Sequence, residues 1–160
     1  MSEVIKYQDV PEDAIVSFRG EHRFLSNFGF CSITLEGVEL PSLEHAFVAS
    51  KVNQEDVRCK AMEISNMTTS EAKRHGRRIP IRNDWNEIRV DVMRALIEQK
   101  FNFINMNGKK LMATKDRMLI EGNEWGDRYW GMERTDIGYE GHNNLGNLLM
   151  ERRTELLKGN

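Results

Sequence analysis

The sequence predicts an α+β fold, a single mainly helical domain with a few short strands. Apolar residues recur at helical spacing in several segments, of which the longest follows Asp84 and runs to Phe103. A β-hairpin is indicated where two short apolar runs flank Glu36-Gly37. No internal repeat or linker-like stretch interrupts the 160 residues. We therefore expect one domain over 14–158, after a polar lead-in at 1–13.

Capping signals locate the helices along the chain. Ser42 is the expected N-cap of a helix over 43–53, and Thr68 opens a capping-box pattern with Glu71. Asn143 is the expected cap of the last helix. The other predicted elements are strands at 14–18, 33–35, 38–40 and 118–121, and helices at 55–65, 69–75, 84–103 and 108–113.

Composition excludes several classes of function. The net charge is −2, so any affinity for phosphate must come from a local basic cluster rather than from the whole chain. The two cysteines, Cys31 and Cys59, favour a reduced cytoplasmic protein over a disulfide framework. No signal peptide or membrane span is expected. Neither metal-ligand spacing nor a phosphate-binding glycine motif occurs, so we expect no metal and no cofactor.

The segment 37–51 carries the first candidate chemistry. Glu44 lies in the first turn of the predicted helix, where the helix dipole favours a carboxylate. At about 100° per residue, Glu44 and Lys51 point almost the same way, so that they can bracket a small polar ligand. The alternative is a first-turn acid and a solvated surface lysine. A second carboxylate, Asp127, could join Glu44 in glycosidic-bond hydrolysis.

Aromatic and basic residues supply possible binding groups. Trp85 begins a predicted helix, whereas Trp125 and Trp130 lie in a glycine-rich loop; each can either stack on a base or fill the core. The run 73–82 is the densest basic stretch and either binds phosphate or forms a solvated helix end.

Six segments, in order, resemble one family. They are FRGEHRFLSNF (18–28), LPSLEHAFVASK (40–51), AKRHGRRIPIRNDW (72–85), KF (100–101), LIEGNEWGDRYWG (119–131) and GHNNLGNLLMERR (141–153). Together they are similar to the NADAR, or YbiA-like, family of N-glycosidases. The resemblance implies a mainly helical α+β fold and hydrolysis of N-glycosidic bonds in riboflavin-pathway pyrimidine intermediates or in ADP-ribosylated guanine.

The resemblance also implies roles for particular residues. Glu44 is the expected catalytic carboxylate, and Lys51 is either an electrostatic clamp or an amine that forms a Schiff base. Asp127 is expected to orient the ribose hydroxyls or to assist acid–base catalysis. The expected substrate-binding residues are Arg19, Asn27, Arg77, Trp85, Trp130, Gly131 and Asn143. Of these, Trp85 and Trp130 would sandwich the base or ribose, and Arg19 and Arg77 would bind phosphate.

Two other functions remain open from the sequence. The same pocket could belong to a non-catalytic nucleotide- or ADP-ribose-binding module. The 73–82 run could instead bind nucleic acid, in which case affinity would fall steeply with salt. The expected partner is a small phosphoribosyl or ADP-ribosyl substrate, with ADP-ribosylated DNA as an alternative, and the sequence gives no oligomeric state.

Overall fold

The computed structural model describes residues 2–159, and these form two compact units. We call residues 27–100 the central unit, and residues 2–26 together with 101–159 the N/C unit. Helices and short strands occur in both, which confirms the predicted α+β class. Within the described residues, no helix combines the length and apolarity needed to cross a bilayer.

The central unit consists of a β-hairpin followed by four α-helices. The strands are β2 (Phe30–Leu35) and β3 (Val38–Ser42), and the helices are α1 (Leu43–Ala49), α2 (Val57–Ile64), α3 (Thr69–Gly76) and α4 (Trp85–Lys100). Helix α1 is buried along its whole length and packs against α2, α3 and α4. It is therefore the core element of this unit.

The hairpin forms at the predicted turn. Leu35 pairs with Val38, and the intervening Glu36 and Gly37 have φ values of 50° and 77°. Two positive φ values are the requirement of the tight turn whose twist matches that of the flanking strands. The side-chain amide of Gln99 then pairs with the backbone of Thr34, accepting from its N–H (2.6 Å) and donating to its C=O (3.1 Å).

The N/C unit contains a small mixed sheet and two helices. Its elements are β1 (Glu3–Lys6), α5 (Met106–Ala113), β4 (Gly122–Asn123), β5 (Met132–Arg134), β6 (Gly138–Gly141) and α6 (Asn144–Leu157), and 3₁₀ turns lie at Tyr7–Asp9 and Gly20–Leu25. The strand order is β1-β6-β5-β4, with only the β4–β5 pair parallel. Ile120, Met132 of β5 and Tyr139 of β6 form a buried cluster.

Several predicted boundaries are wrong in this unit. Residues 3–6, expected as part of a lead-in, pair with β6, and the strand expected at 14–18 is reduced to one bridge between Ile15 and Leu119. Strand β4 begins at Gly122, just after the predicted strand at 118–121. These short segments lack the alternation that identifies a strand, so their pairing depends on neighbours that are distant in sequence.

Three helix ends also differ from prediction, because polar side chains stop or start the helix. Helix α4 ends at Lys100, and the Asn102 side-chain oxygen then accepts from the N–H groups of Ile104 and Asn105, both at 2.9 Å. Such local bonds compete with helix continuation. Asn105 in turn caps α5 by accepting from Gly108 N at 2.8 Å. Helix α1 ends at Ala49 rather than near 53, and Ser50 Oγ donates back to Ala46 O (2.7 Å).

Candidate active site

Helix α1 begins with the predicted N-cap. Ser42 Oγ accepts from His45 N at 3.2 Å and lies 2.6 Å from His45 Nδ1. The other ring nitrogen of His45, Nε2, lies 2.8 Å from the carbonyl of Met67, which can only accept. Nε2 therefore carries the proton, and Nδ1 accepts from the Ser42 hydroxyl. His45 is fully buried and fully bonded, so it fixes the start of α1 and is not available for catalysis.

Glu44 is held in the first turn of this helix. Its backbone N–H donates to the carbonyl of Asn27 at 3.1 Å, and the residue is only 9% exposed. A carboxylate with so little water around it interacts more strongly with nearby charges than one on the surface. The helix N-terminus also favours its anionic form.

Lys51 follows α1 and is electrostatically coupled to Glu44, as the sequence suggested. Its Nζ lies 5.6 Å from the centroid of the Phe47 ring, and its carbonyl accepts from Arg82 N at 2.8 Å. Burial lowers the pKa of Lys51 below its ordinary value; the charge of Glu44 opposes this shift, and Lys73 and Arg77 add to it. The amine is consequently neutral more often than a surface lysine at the same pH.

Two further cations border this group. Lys73 and Arg77 lie at the end of α3, and Lys73 Nζ is 5.4 Å from the centroid of Phe28. Arg77 is exposed and acts on Lys51 through its charge. The central unit therefore joins a carboxylate, a perturbed amine and two surface cations, a set that can bind an anionic sugar derivative.

Trp85 supports this group from within the core. Its ring lies 5.0 Å from that of Phe47, tilted by 55°, and the residue is 7% exposed. Because Trp85 exposes so little surface, it offers little open ring for stacking on a base. It packs against Phe47, which lies beside the Lys51 amine. Of the two alternatives left open for Trp85, this burial favours core packing, and stacking on the base or ribose stays a prediction.

Asn27 has an unusual side-chain environment. Its Nδ2 lies 3.8 Å from the sulfur of Met93, whereas Oδ1 is buried and has no hydrogen-bond partner among the described residues. A buried acceptor without a donor costs about 1–3 kcal/mol. Oδ1 therefore retains an unused acceptor, and the binding role expected for Asn27 stays a prediction.

Asp127 belongs to the N/C unit and organises a loop. Its Oδ1 accepts from Tyr129 N (3.1 Å) and Trp130 N (3.0 Å). Its backbone N–H donates to Asn123 Oδ1 at 3.0 Å, and its carbonyl accepts from Asn123 Nδ2 at 2.7 Å. One carboxylate oxygen is therefore used to shape the 127–130 turn. If Asp127 takes part in acid–base chemistry, its other carboxylate oxygen, Oδ2, is the atom that does so.

The remaining predicted site residues of this loop, Trp130 and Gly131, differ in solvent exposure. Trp130 is half-buried, in edge-to-face contact with Tyr129 at 5.0 Å. Gly131 is buried, and a Cβ there would lie 2.3 Å from the carbonyl of Glu121, so the position requires glycine for close backbone approach. This packing explains Gly131 without a substrate contact.

Asn143 precedes α6 in a left-handed conformation, with φ 52°. Its Nδ2 donates to Leu119 O (2.9 Å) and its Oδ1 accepts from Glu121 N (3.0 Å). The residue is 6% exposed, and its side chain makes no capping bond to the helix. Both polar atoms of the amide thus hold the 119–121 segment, and the contact of Asn143 with substrate stays a prediction.

Arg19 lines a cavity of about 240 Å³ within the N/C unit. Its guanidinium carbon lies 5.9 Å from the centroid of the Trp125 ring. The predicted site residues are therefore distributed over both units. Glu44, Lys51, Arg77, Trp85 and Asn27 belong to the central unit, and Arg19, Asp127, Trp130, Gly131 and Asn143 belong to the N/C unit.

Two residues with clear roles were not identified from the sequence. The Phe47 ring lies 5.6 Å from the Lys51 amine, and Asn123 uses its whole side chain to shape the 123–132 loop. Lys73, whose charge acts on Lys51, belongs to the 73–82 run that the sequence had singled out. Phe47 lies four residues before Lys51 in the helical segment, and this spacing could have placed the ring beside the amine. No sequence signal distinguishes Asn123 from an ordinary loop asparagine.

The chain matches one family model and is similar to several known proteins. The family model described as NADAR domain matches residues 16–157. The chain is 38% identical over 139 residues to "Riboflavin biosynthesis protein VVA0006" of Vibrio vulnificus; the match covers 84% of this chain but only 36% of the Vibrio protein. It is 32% identical over 155 residues to "N-glycosidase YbiA" of Escherichia coli, covering 94% of each chain.

The fold agrees with a solved structure. The NMR structure of the E. coli protein YbiA superposes with a TM-score of 0.74 at 33% sequence identity, covering 96% of this chain and 90% of that one. The agreement extends to the α+β architecture described above. With its family model spanning 16–157, the chain belongs to the NADAR domain family.

Proposed function

We propose that this chain is an N-glycosidase that hydrolyses the N-glycosidic bond of a phosphorylated ribosyl-base compound. The substrate would be a riboflavin-pathway pyrimidine intermediate or an ADP-ribosylated guanine, free or attached to DNA. The names and coverage of the relatives support the reaction class. The observation that carries the proposal is the coupling of the buried Glu44 carboxylate to a lysine whose pKa is lowered by burial.

The carboxylate suits the charge that develops in this reaction. Cleavage of an N-glycosidic bond makes the sugar carbon positively charged in the transition state. Glu44, held at a helix N-terminus with 9% exposure, would stabilise that charge or take a proton from the attacking water. The backbone position of Glu44 is fixed, because the Ser42 cap and the bond from its own N–H to Asn27 O anchor the first turn of α1.

Lys51 has two proposed roles that lead to different chemistry. As an ammonium it would clamp an anionic substrate. As a neutral amine it would attack C1′ of the ring-opened sugar and displace the base as its free amine, giving a lysine imine that water then hydrolyses to release the sugar phosphate and the lysine. The lowered pKa supports the amine, since only the neutral form is a nucleophile. Trapping with borohydride distinguishes the two roles.

Substrate binding is proposed to use the surroundings of this pair. Arg77, exposed beside Lys73, would bind phosphate, and the unpaired Oδ1 of Asn27 would accept from a sugar hydroxyl or a base N–H. Asp127 and Trp130 keep the roles that the family resemblance implies, and Arg19 keeps the phosphate-binding role inferred from its guanidinium group. Residues 14–158 would act as one functional domain in the cytoplasm.

The decisive experiment compares turnover of three substrates by the parent chain. These are the pyrimidine riboside phosphate, free ADP-ribosylated guanine nucleotide and ADP-ribosylated guanine in DNA, each followed by release of the sugar phosphate or ADP-ribose. Glu44→Gln is expected to reduce turnover about 10²–10⁴-fold while leaving ligand affinity within a few-fold. The matched control is Glu98→Gln, which neutralises an exposed acid on α4 of the same unit.

The result also separates the enzyme from its alternative. Tight ligand binding by the folded parent with no release from any of the three substrates would identify a non-catalytic binding module. Equal losses in Glu44→Gln and Glu98→Gln would show that the coupled pair is not the reacting centre.

A further inference from the structure

The N/C unit contains a cavity whose lining residues, apart from Arg19, have no role in the chemistry proposed for Glu44 and Lys51. Its volume is about 240 Å³, and its side chains combine two arginines, an acid and two aromatic rings: Ser17, Arg19, Glu124, Trp125, Arg134 and Tyr139. All of these residues lie within one compact unit. The cavity can therefore be considered on its own.

The two arginines are available for an anion. Among residues 2–159, neither Arg19 nor Arg134 forms a salt bridge. Arg134 is oriented by Tyr7, because its Nε donates to the Tyr7 hydroxyl (3.0 Å), which itself donates to Thr135 O (2.8 Å). The bond to Tyr7 uses only Nε, so the N–H groups of the two terminal nitrogens remain for a ligand. Guanidinium groups bind phosphate through two such N–H donors at once.

An exposed indole lies in the same cavity. Trp125 is 60% exposed, although tryptophan is a residue that usually buries most of its surface. The Arg19 guanidinium lies 5.9 Å from the ring centroid, close to the outer limit of about 6 Å for a cation–π contact. Trp125 therefore offers open ring surface next to a cation, an arrangement that suits a planar ring bearing a negative group.

The size of the cavity limits what it can hold. Sites for drug-sized ligands span about 300–1,000 Å³, and this one is smaller. It suits a single ring system with one phosphate rather than a dinucleotide. The two arginines and Glu124 give the lining a net charge of about +1, which favours an anion.

We propose that this cavity is a binding site for a small phosphorylated compound with a planar aromatic ring, of the nucleoside monophosphate class. The phosphate lies between Arg19 and Arg134, and the ring stacks against Trp125. The proposal rests on the geometry of the N/C unit alone and does not require N-glycosidase activity.

Calorimetric titration of the full chain with 5′-AMP, adenosine and inorganic phosphate tests it. We expect 5′-AMP to bind more tightly than either part alone, and its affinity to fall with added salt. The chain has three tryptophans, so its indole N–H signals in a ¹H–¹⁵N NMR spectrum are few, and the signal missing from Trp125→Ala identifies that residue. This signal should shift on addition of 5′-AMP.

Three variants locate the binding energy. Trp125→Ala should weaken 5′-AMP binding about 5- to 100-fold, the range for loss of one stacked base. Arg134→Gln should weaken it about tenfold or more. Glu124→Gln should strengthen it about two- to threefold, because a nearby negative charge is removed. A gain of affinity cannot result from damaged folding.

The control is Lys109→Gln, which removes an exposed positive charge on α5 outside the cavity and should leave the affinity unchanged. Circular dichroism verifies that each variant is folded. Absence of 5′-AMP binding at millimolar concentration would overturn the proposal. So would binding that is insensitive to both Trp125→Ala and Arg134→Gln, or equal affinity for 5′-AMP and adenosine.

Discussion

Replacing Asn143 by alanine separates a structural amide from a substrate-binding one. The side chain bridges Leu119 O and Glu121 N, at 2.9 and 3.0 Å, and lies in a residue that is 6% exposed. Alanine removes both bonds and leaves a buried carbonyl and a partly buried N–H without that partner. It also keeps a side chain at φ 52°, a conformation that asparagine tolerates better than alanine.

The expected loss of stability follows from these contacts. Each hydrogen bond contributes about 1 kcal/mol net, and each buried group left unpaired costs about 1–3 kcal/mol. The left-handed backbone adds roughly 1 kcal/mol. Because the neighbouring chain can relax, we expect a total of about 3–4 kcal/mol. For a chain of this size, that corresponds to a fall in Tm of about 10 °C.

Urea and thermal denaturation of Asn143→Ala measure this loss, and substrate KM is determined on the same protein below its Tm. Asn143→Gly should recover roughly 1 kcal/mol, because glycine adopts positive φ without strain. Asn147→Ala, which removes one exposed bond to His142 O, should cost about 0.5–1 kcal/mol. A parent-like Tm together with a raised KM would refute the structural role and restore Asn143 as a ligand contact.

Three other perturbations test the central unit. The pKa of Lys51 is lower in the folded chain than the ordinary value of 10.5, so the unfolded chain binds more protons between these two pKa values. Stability should therefore rise with pH across that interval, and Lys51→Met should flatten the rise in urea unfolding. Phe47→Leu removes the ring near the Lys51 ammonium, so the pKa of Lys51 should fall further, as measured by NMR titration of the lysine side chain. Gly76→Ala would place a Cβ 2.9 Å from Val48 Cγ2, and the overpacking between α1 and α3 should cost about 1–3 kcal/mol in urea unfolding.

For each of these three predictions, one result would contradict the reasoning. A stability profile that falls with pH, or is the same in Lys51→Met, would mean that the folded state does not disfavour the ammonium. A higher pKa of Lys51 in Phe47→Leu would show that the ring does not stabilise the cation. In the third case, the double variant Gly76→Ala with Val48→Ala should lose less than the sum of the single variants, and strict additivity would contradict the clash.

Local chemistry in the sequence predicted the elements whose signals lie within a few residues. The capping box of Thr68 and Glu71 is present, with bonds of 3.2 and 2.7 Å, and the Glu36-Gly37 turn joins β2 to β3. Ser42 caps α1 as expected. In each case a side chain or a positive-φ residue satisfies backbone groups nearby, so no distant partner was required.

The shifted boundaries have the opposite origin. Strand β1 at Glu3–Lys6 exists because β6, more than a hundred residues later, pairs with it. Four residues with two charges carry no strand pattern of their own. The short β4 and the single bridge at Ile15 depend on distant partners in the same way.

The sequence by itself determined the α+β class and the family, and it predicted that Glu44 and Lys51 act together, because each follows from residue types at short spacing or from motifs in order. Tertiary structure decided which polar groups are free. Asn143 and Gly131 are occupied in holding the backbone, Trp85 is buried behind Phe47, and Asn27 retains an unpaired oxygen. Whether a side chain is available to a ligand depends on burial and on partners from distant segments, and spacing along the chain specifies neither.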